Sequence, residues 1–239
     1  MRVRQIRVKG IIIKETPYKD NDKILTILTD EIGKISCMAK GAKKSNSPIL
    51  ACSQYLVYSE FILYKSNNFY YINSAEILST FYNIRIDFDK LENSFELTRL
   101  INMVVLEDEN TANILKLFLN TIYLIEKGTK DYALLKSVFK IKLFAMIGFA
   151  PNVYTCNRCG QALVENDSYF DYVSNSFICL KCYDEINKNR YIKIKKSTIL
   201  AIRYILKENI KNIFSFEITD IKNLEIFANT YQDILTNDI

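Results

Sequence analysis

The chain has 239 residues, of which 49% are hydrophobic and 25% are charged, with a formal net charge of +5 and no histidine. The lack of histidine excludes histidine-based catalytic triads, His-ligated catalytic zinc and the HExxH class, and the sequence contains neither a GxxxxGK[ST] nor a GxGxxG motif. No uncharged apolar run approaches the roughly 20 residues that span a bilayer. We therefore expect a cytoplasmic, non-enzymatic globular protein of one large or two modest domains.

Positive charge is concentrated at the start of the chain. Residues 1–48 contain eleven Lys and Arg against five Asp and Glu, a net charge of +6, whereas the remainder carries −1. A basic module joined to a neutral remainder is typical of proteins that face a polyanion such as nucleic acid. A merely lysine-rich solvated surface is the other interpretation, and charge alone does not separate the two.

Short β-rich runs separated by polar turns fill residues 3–73. Gly10 interrupts the first run, and a glycine inside a strand usually marks a bulge or a sharp bend. Five strands, one of them bent, favour a small closed barrel over a flat sheet with long exposed edges. The sequence predicts a five-stranded OB-fold β-barrel domain at residues 1–80. The predicted strands are Val3–Lys14, Ile24–Thr29, Lys34–Ala39, Tyr55–Tyr64 and Phe69–Ile72.

The segment Lys40–Pro48 has the composition of a flexible basic loop without an apolar anchor. OB-folds bind single strands by laying the phosphates along a cationic groove and stacking the bases on exposed aromatic rings. The loop lysines are the better candidates for such contacts, because a loop with no core to serve has few structural reasons to hold three cations. The nearby tyrosines are individually more typical of a core than of a base-stacking surface. They are Tyr55, Tyr58, Tyr64, Tyr70 and Tyr71.

After residue 78 the apolar residues recur with a helical period. Helices are predicted at 89–106, after Asn110 or Thr111, after Asp131, at 197–207 and at 219–235. Their apolar faces favour a helical bundle that forms a second domain at residues 81–239. The predicted fold class is therefore α+β multidomain, a barrel followed by a bundle.

Two CxxC pairs interrupt the predicted bundle at about residues 152–190. Cys156 and Cys159 are separated by nineteen residues, Gly160 to Ile178, from Cys179 and Cys182. This spacing is typical of a four-cysteine zinc site, which has no open position for water or substrate and is structural. Two disulfides, a thioredoxin-like redox pair and buried free cysteines are the weaker alternatives. We expect one structural Zn²⁺ in a ribbon too small to bury its own core without metal, so metal removal should unfold the ribbon.

The order and spacing of several segments resemble the bacterial RecO family of DNA repair proteins. The segments that carry the resemblance are Thr29–Lys34, Lys40–Lys44, Phe61–Lys65, Ser74–Leu78 and Phe139–Pro151, the last of which leads into the first CxxC pair. No single segment is diagnostic. The part from about residue 193 onward matches only as generic helix.

The resemblance implies an N-terminal OB domain and a helical domain that carries a four-cysteine zinc module. It also implies a mediator of recombination that binds single- and double-stranded DNA, anneals complementary strands, and works with RecR to load RecA onto DNA coated by single-stranded-DNA-binding protein. Such a protein is expected in the cytoplasm, associated with the nucleoid, and not in a membrane. Family members often carry arginine and proline in the basic loop, whereas this chain has lysine, which contacts phosphate only as a point charge. The residues predicted to contact DNA are Lys34, Lys40, Lys43, Lys44, Tyr64 and Lys65.

A different class of function stays open at this point. The chain is also compatible with a zinc-containing adaptor whose barrel and helical grooves bind partner proteins, since an OB-fold does not dictate its ligand.

Overall fold

A computed structural model describes residues 5–66, 69–107, 109–163 and 166–236. The chain divides into two compact units, residues 1–126 and 127–239. The first unit contains the barrel and the helices that follow it directly. It therefore ends later in the chain than the domain boundary predicted at residue 80, and that boundary stays a prediction. Within the described ranges, no helix is long and apolar enough to cross a membrane.

The first unit opens with a closed five-stranded barrel, as predicted. Its strands are β1 (Gln5–Tyr18), β2 (Asp22–Thr29), β3 (Lys34–Ala39), β4 (Tyr58–Ser66) and β5 (Phe69–Ser79). The barrel order is β1-β2-β3-β5-β4, in which β3 and β5 pair in parallel and the other neighbours are antiparallel. The first two residues of the predicted strand Val3–Lys14 lie outside the described residues.

Gly10 lies where β1 changes partners. The first half of β1 pairs with β4 and the second half with β2, and Gly10 is paired to both. A Cβ on Gly10 would lie 2.6 Å from Cγ2 of Ile27, so a larger residue cannot enter here without moving β2. The register irregularity itself falls between Ile12 and Lys14, slightly later than predicted.

The barrel encloses its own hydrophobic core. On β4 the side chains of Phe61 and Leu63 are fully buried, while the alternate positions are partly exposed. The predicted strand start at Tyr55 is wrong, because Leu56 has a φ of 61°, in the left-handed region, and regular pairing begins at Tyr58. The core residues are Val8, Ile12, Leu25, Ile27, Ile35, Cys37, Ala39, Ala42, Ile49, Cys52, Phe61, Leu63 and Ile72.

The segment after β3 is not the unanchored loop that its composition predicts. Ala42 is fully buried in the barrel core, and Ile49 is 8% exposed. The backbone N–H of Gly41 donates to Oδ1 of Asp22 at 2.7 Å, and the N–H of Lys43 donates to the carbonyl of Asn21 at 2.9 Å. The basic segment is therefore held against the turn between β1 and β2.

In the described part of the first unit, the barrel strands are followed by the helices α1 (Tyr82–Arg85), α2 (Phe88–Val104) and α3 (Ala112–Lys127). Asp87 caps α2 by accepting a hydrogen bond from the Lys90 N–H, as favoured at an extended N-cap residue. The apolar pattern of the predicted helix 89–106 includes Phe95, Leu97, Leu100 and Ile101, but Phe95 is 54% exposed, so its place on the buried face is wrong. The buried residues of α2 are Ser94, Leu97, Thr98, Leu100 and Ile101.

The second unit contains α4 (Tyr132–Met146), α5 (Lys196–Lys207) and α6 (Ile221–Thr236), which pack on one another. Asp131 caps α4, as predicted, by accepting from the N–H groups of Ala133 and Leu134. The segment between α4 and α5, which we call the cysteine lobe (residues 147–195), carries a small antiparallel sheet in the order β7-β6-β8. Its strands are β6 (Ser168–Asp171), β7 (Ser176–Cys179) and β8 (Tyr191–Ile194).

The sheet of the cysteine lobe is packed against α6. The buried rings of Phe170 and Phe177 lie 5.2 and 5.3 Å from the ring of Phe227, centroid to centroid. Tyr231 adds a second ring on the same side, 6.1 Å from Phe170. The predicted ribbon is present as the paired strands β6 and β7, but its core is completed by a helix of the same unit.

Candidate metal centre and nucleic-acid interface

The four cysteines of the two CxxC pairs converge. Their Sγ atoms all lie within 4.8 Å of one another, and those of Cys159 and Cys179 are 3.6 Å apart. A tetrahedron of thiolates at about 2.3 Å from one ion has edges of about 3.8 Å. A disulfide needs about 2.05 Å, and all four cysteines are free. The geometry fits one metal ion bound by four sulfurs, with no position left for a substrate.

Local backbone structure aims the sulfurs of each pair. In the first pair the N–H of Gly160 donates to the carbonyl of Cys156 at 2.9 Å, and Gly160 has a φ of 73°. In the second pair Cys179 ends β7, and Leu180–Cys182 forms one helical turn. Burial opposes ionisation of Cys156, but backbone N–H groups of Cys179, Cys159 and Arg158 outweigh it and lower its pKa to about 6. Cys156 is therefore disposed to act as a thiolate ligand.

A second site is formed on the barrel by cations and aromatic rings. The Lys40 ammonium lies 4.9 Å from the centroid of the Tyr71 ring, and the Tyr71 ring stacks on that of Tyr64 at 5.1 Å and 13°. The Lys65 ammonium lies 5.0 Å from the centroid of the Tyr70 ring. Of the residues predicted to contact DNA, Lys40 directly follows β3, and Tyr64 and Lys65 are neighbours on β4. Since successive side chains of a strand point to opposite faces, Lys65 and Tyr70 lie on the other face from Tyr64 and Tyr71.

The other loop lysines lie beside the turn between β1 and β2. The Lys43 ammonium donates to the carbonyl of Lys19 at 3.3 Å, and Lys44 is exposed. Lys19 has a φ of 48° and extends its own ammonium over Tyr18, 5.3 Å from the ring centroid. Lys19 was not among the residues predicted to contact DNA. Its proximity to Lys43 comes from the anchoring of the loop, for which the sequence offers no signal.

Lys34 is placed differently from the other residues predicted to contact DNA. Its ammonium donates to the carbonyl of Asn102 near the end of α2. Burial lowers the pKa of Lys34, and the nearby carboxylate of Glu107 opposes this. Lys34 begins β3 whereas Lys40 follows its last residue, so the strand separates the two by about 20 Å. A role for Lys34 in DNA binding stays a prediction.

Tyr71 is a site residue that sequence reasoning did not select. The sequence singles it out only as one of five tyrosines, and its significance comes from the pairing of β4 with β5, which sets Tyr71 opposite Tyr64. Cross-strand partners of this kind have side chains close enough to stack. The register that makes them partners includes an irregularity between Ile62 and Leu63, which no short-range pattern predicts.

Known proteins and protein families resemble this chain over most of its length. Residues 1–81 match the family model "Recombination protein O N terminal", and residues 87–232 match "Recombination protein O C terminal". The chain is 35% identical over 215 residues to the DNA repair protein RecO of Acetivibrio thermocellus, covering 90% of this chain and 84% of that protein. It is 31% identical over 221 residues to the DNA repair protein RecO of Clostridium perfringens, covering 92% and 88%. The barrel, the four-cysteine cluster and these matches agree: the chain belongs to the RecO family of DNA repair proteins.

Proposed function

We propose that the protein is a non-enzymatic mediator of recombinational DNA repair that binds single- and double-stranded DNA through its barrel and anneals complementary strands. We further propose that it works with RecR to load RecA onto DNA coated by single-stranded-DNA-binding protein. The observation that supports DNA binding most directly is the surface where Lys40 lies over Tyr71 and Tyr71 stacks on Tyr64. It combines the two parts of a single-strand binding site, a cation for phosphate and a ring for a base.

Annealing needs no catalytic residue in this mechanism. Two strands repel each other through their phosphates, and a cationic surface that binds both backbones reduces that repulsion. Base pairing then decides whether the strands stay together. Because affinity comes from release of counterions, binding should weaken steeply as salt increases.

The decisive experiment replaces Lys40, Lys43 and Lys44 together with alanine. We expect weaker binding to an oligonucleotide and slower annealing by purified protein. The log–log slope of affinity against salt should also become shallower, by about one unit for each phosphate that the variant no longer neutralises. The matched control replaces three exposed lysines of the second unit, Lys188, Lys211 and Lys222. Equal salt slopes for the two triple variants would show that the loop is not the binding surface.

A second variant separates ring stacking from charge. Tyr71→Ala removes the ring between Lys40 and Tyr64 and should cost about 1–3 kcal/mol of single-strand binding for the base that stacks there. Tyr71→Phe keeps the ring and should bind almost as the wild type does. Fluorescence anisotropy with a labelled single strand at fixed salt measures both, and equal losses in the two variants would contradict stacking.

The metal of the four-cysteine site is proposed to be Zn²⁺. Four thiolates in tetrahedral arrangement are a ligand set that zinc occupies in structural sites, where it supplies folding free energy and no open coordination position. In this role Cys156, Cys159, Cys179 and Cys182 would hold the ion. Metal analysis of protein purified without added zinc tests the identity.

An adaptor that binds proteins and not DNA is the alternative, and one observation favours it. The first unit has a largely apolar cavity of about 610 Å³ between β1 and α2, and Phe88 at its edge is 77% exposed. Apolar clefts of this kind are typical of sites for partner peptides or small ligands. An adaptor would fail to anneal complementary oligonucleotides, so the annealing assay separates the two functions.

A further inference from the structure

Arg158, inside the first CxxC pair, reaches across to the second. Its Nη1 donates to the carbonyl oxygen of Cys182 at 2.8 Å, and its Nη2 donates to the hydroxyl of Tyr191 on β8 at 2.7 Å. The two cysteine pairs are thus joined by a side chain as well as by any ion they share. Arg158 is not a metal ligand, because guanidinium has no lone pair to offer.

A buried carboxylate lies next to the Arg158 guanidinium. The side chain of Asp171 on β6 is 1% exposed and lies 3.6 Å from Nη2 of Arg158. The Arg190 guanidinium donates to both of its oxygens, and the backbone N–H groups of Val173 and Ser174 also donate to it. A buried carboxylate with these donors stays ionised and fixed in position. It therefore gives the guanidinium of Arg158 an anchored negative partner within the sheet.

These contacts have a consequence for metal binding. Four thiolates around one divalent ion carry a formal charge of about −2, which a cation inside the first pair offsets. A flexible pair of CxxC turns would also lose conformational freedom when it captured an ion. The bridge from Arg158 to Cys182 limits that loss, because it restricts the separation of the two turns beforehand.

We propose that Arg158 is a positioning residue of the metal site, which holds the two CxxC pairs at metal-binding separation and is itself oriented by Asp171 and Tyr191. This inference rests on the proposed metal site. Its chemistry requires arginine, because a planar guanidinium serves two acceptors at once and an ammonium on a flexible stem does not reproduce that fork.

The test is a titration of metal-free full-length protein with Co²⁺, whose absorption reports four-thiolate coordination, followed by competition with Zn²⁺. We expect Arg158→Gln to keep the shape of the wild-type spectrum but to bind about 10–100-fold more weakly, the usual effect of losing a residue that orders metal ligands. Arg158→Lys should recover part of the loss. Asn157→Ala is the matched control, an exposed neighbour in the same turn, and should bind as the wild type does.

A double-mutant cycle with Tyr191→Phe makes the role specific. This change removes only the hydroxyl that Arg158 contacts, so it should weaken Co²⁺ binding in the wild-type background and add nothing in the Arg158→Gln background. Metal release to a chelator, measured where each variant is fully folded by circular dichroism, should be faster for Arg158→Gln.

The outcomes separate the two proposals. If the wild type gives no four-thiolate spectrum, the metal proposal fails. If the wild type gives it but Arg158→Gln binds within twofold of wild type, or the Tyr191→Phe loss is the same in both backgrounds, the positioning role is overturned. Should Arg158→Gln fail to fold, Tyr191→Phe decides: Co²⁺ binding by this variant within twofold of the wild type overturns the positioning role.

Discussion

The barrel and the cysteine lobe reach stability by different routes. The barrel pairs its five strands into a closed cylinder and buries a core that its own strands and loop supply. The described residues of the lobe form three strands of four residues each, and the buried rings of these strands pack against α6. A sheet that small cannot bury enough apolar surface by itself. The barrel therefore does not need another element to complete its core, whereas the lobe depends on α6 to bury its rings.

The largest expected effect comes from emptying the barrel core. Phe61 is fully buried, so Phe61→Ala should destabilise the first unit by about 3–5 kcal/mol through reduced burial and the cavity left behind. Urea unfolding measures the loss, and Phe69→Ala, at a ring that is 54% exposed, is the control. If the barrel and the cysteine lobe are stabilised independently, Co²⁺ binding by the four cysteines should be unchanged in Phe61→Ala. Loss of both stability and Co²⁺ binding in Phe61→Ala would show that the barrel and the cysteine lobe do not fold separately.

Metal withdrawal should have an intermediate effect confined to the lobe. The sequence predicts that the whole ribbon unfolds without metal. Because Phe170 and Phe177 pack on Phe227, we now expect only the two CxxC turns to unfold. In chelated protein or in Cys156→Ser, hydrogen exchange should accelerate at the two CxxC turns while the amides of β6 and of the barrel stay protected. Exchange of β6 as fast as that of the turns would favour unfolding of the whole ribbon, and DNA binding by the barrel should be unaffected in either case.

The smallest effect concerns pH. Burial alone would raise the pKa of Asp171, but hydrogen bonds from Arg190 and Ser174 and the charge of Arg190 outweigh it and lower the pKa. A lowered pKa means that Asp171 stabilises the fold at any pH above its ordinary value of about 3.9, and that this stabilisation is lost as the pH falls through the folded value.

Urea unfolding of chelated protein between pH 6 and pH 3 tests this titration. The stability difference between wild type and Asp171→Asn should be constant down to about pH 4 and then shrink. Asp233→Asn, at an exposed carboxylate of α6, is the control for the loss of one carboxylate. A difference that does not change with pH would mean that the charge of Asp171 contributes nothing.

Features set by spacing along the chain could be predicted from sequence. The CxxC interval predicted the cysteine cluster, and Asp131 was identified as the cap of α4. Each depends on residues within a few positions of one another or on a ligand geometry that a spacing encodes. The five-stranded barrel followed because strand count and the avoidance of open edges leave few alternatives.

Features set by tertiary pairing could not be predicted. The burial of Ala42 depends on the fit of one methyl group into a core, which composition does not reveal. Lys34 reads as one more cation of a basic segment, yet its hydrogen bond to Asn102 depends on where α2 ends. The third strand of the lobe, β8, was missed because Tyr191–Ile194 is short and includes a lysine.

The parallel pairing of β3 with β5 has a consequence for how the barrel can change. Among the described residues this seam consists of two partners, Cys37 with Tyr70 and Met38 with Tyr71, whereas β1 and β2 share a long ladder. Tyr71 therefore takes part in this short pairing of β3 with β5, and its ring also lies beneath the Lys40 ammonium. If DNA binds at this surface, as proposed, it contacts both strands that close the barrel. DNA binding should then raise the melting temperature of the barrel. Substitutions along this edge should change both DNA affinity and the stability of the barrel.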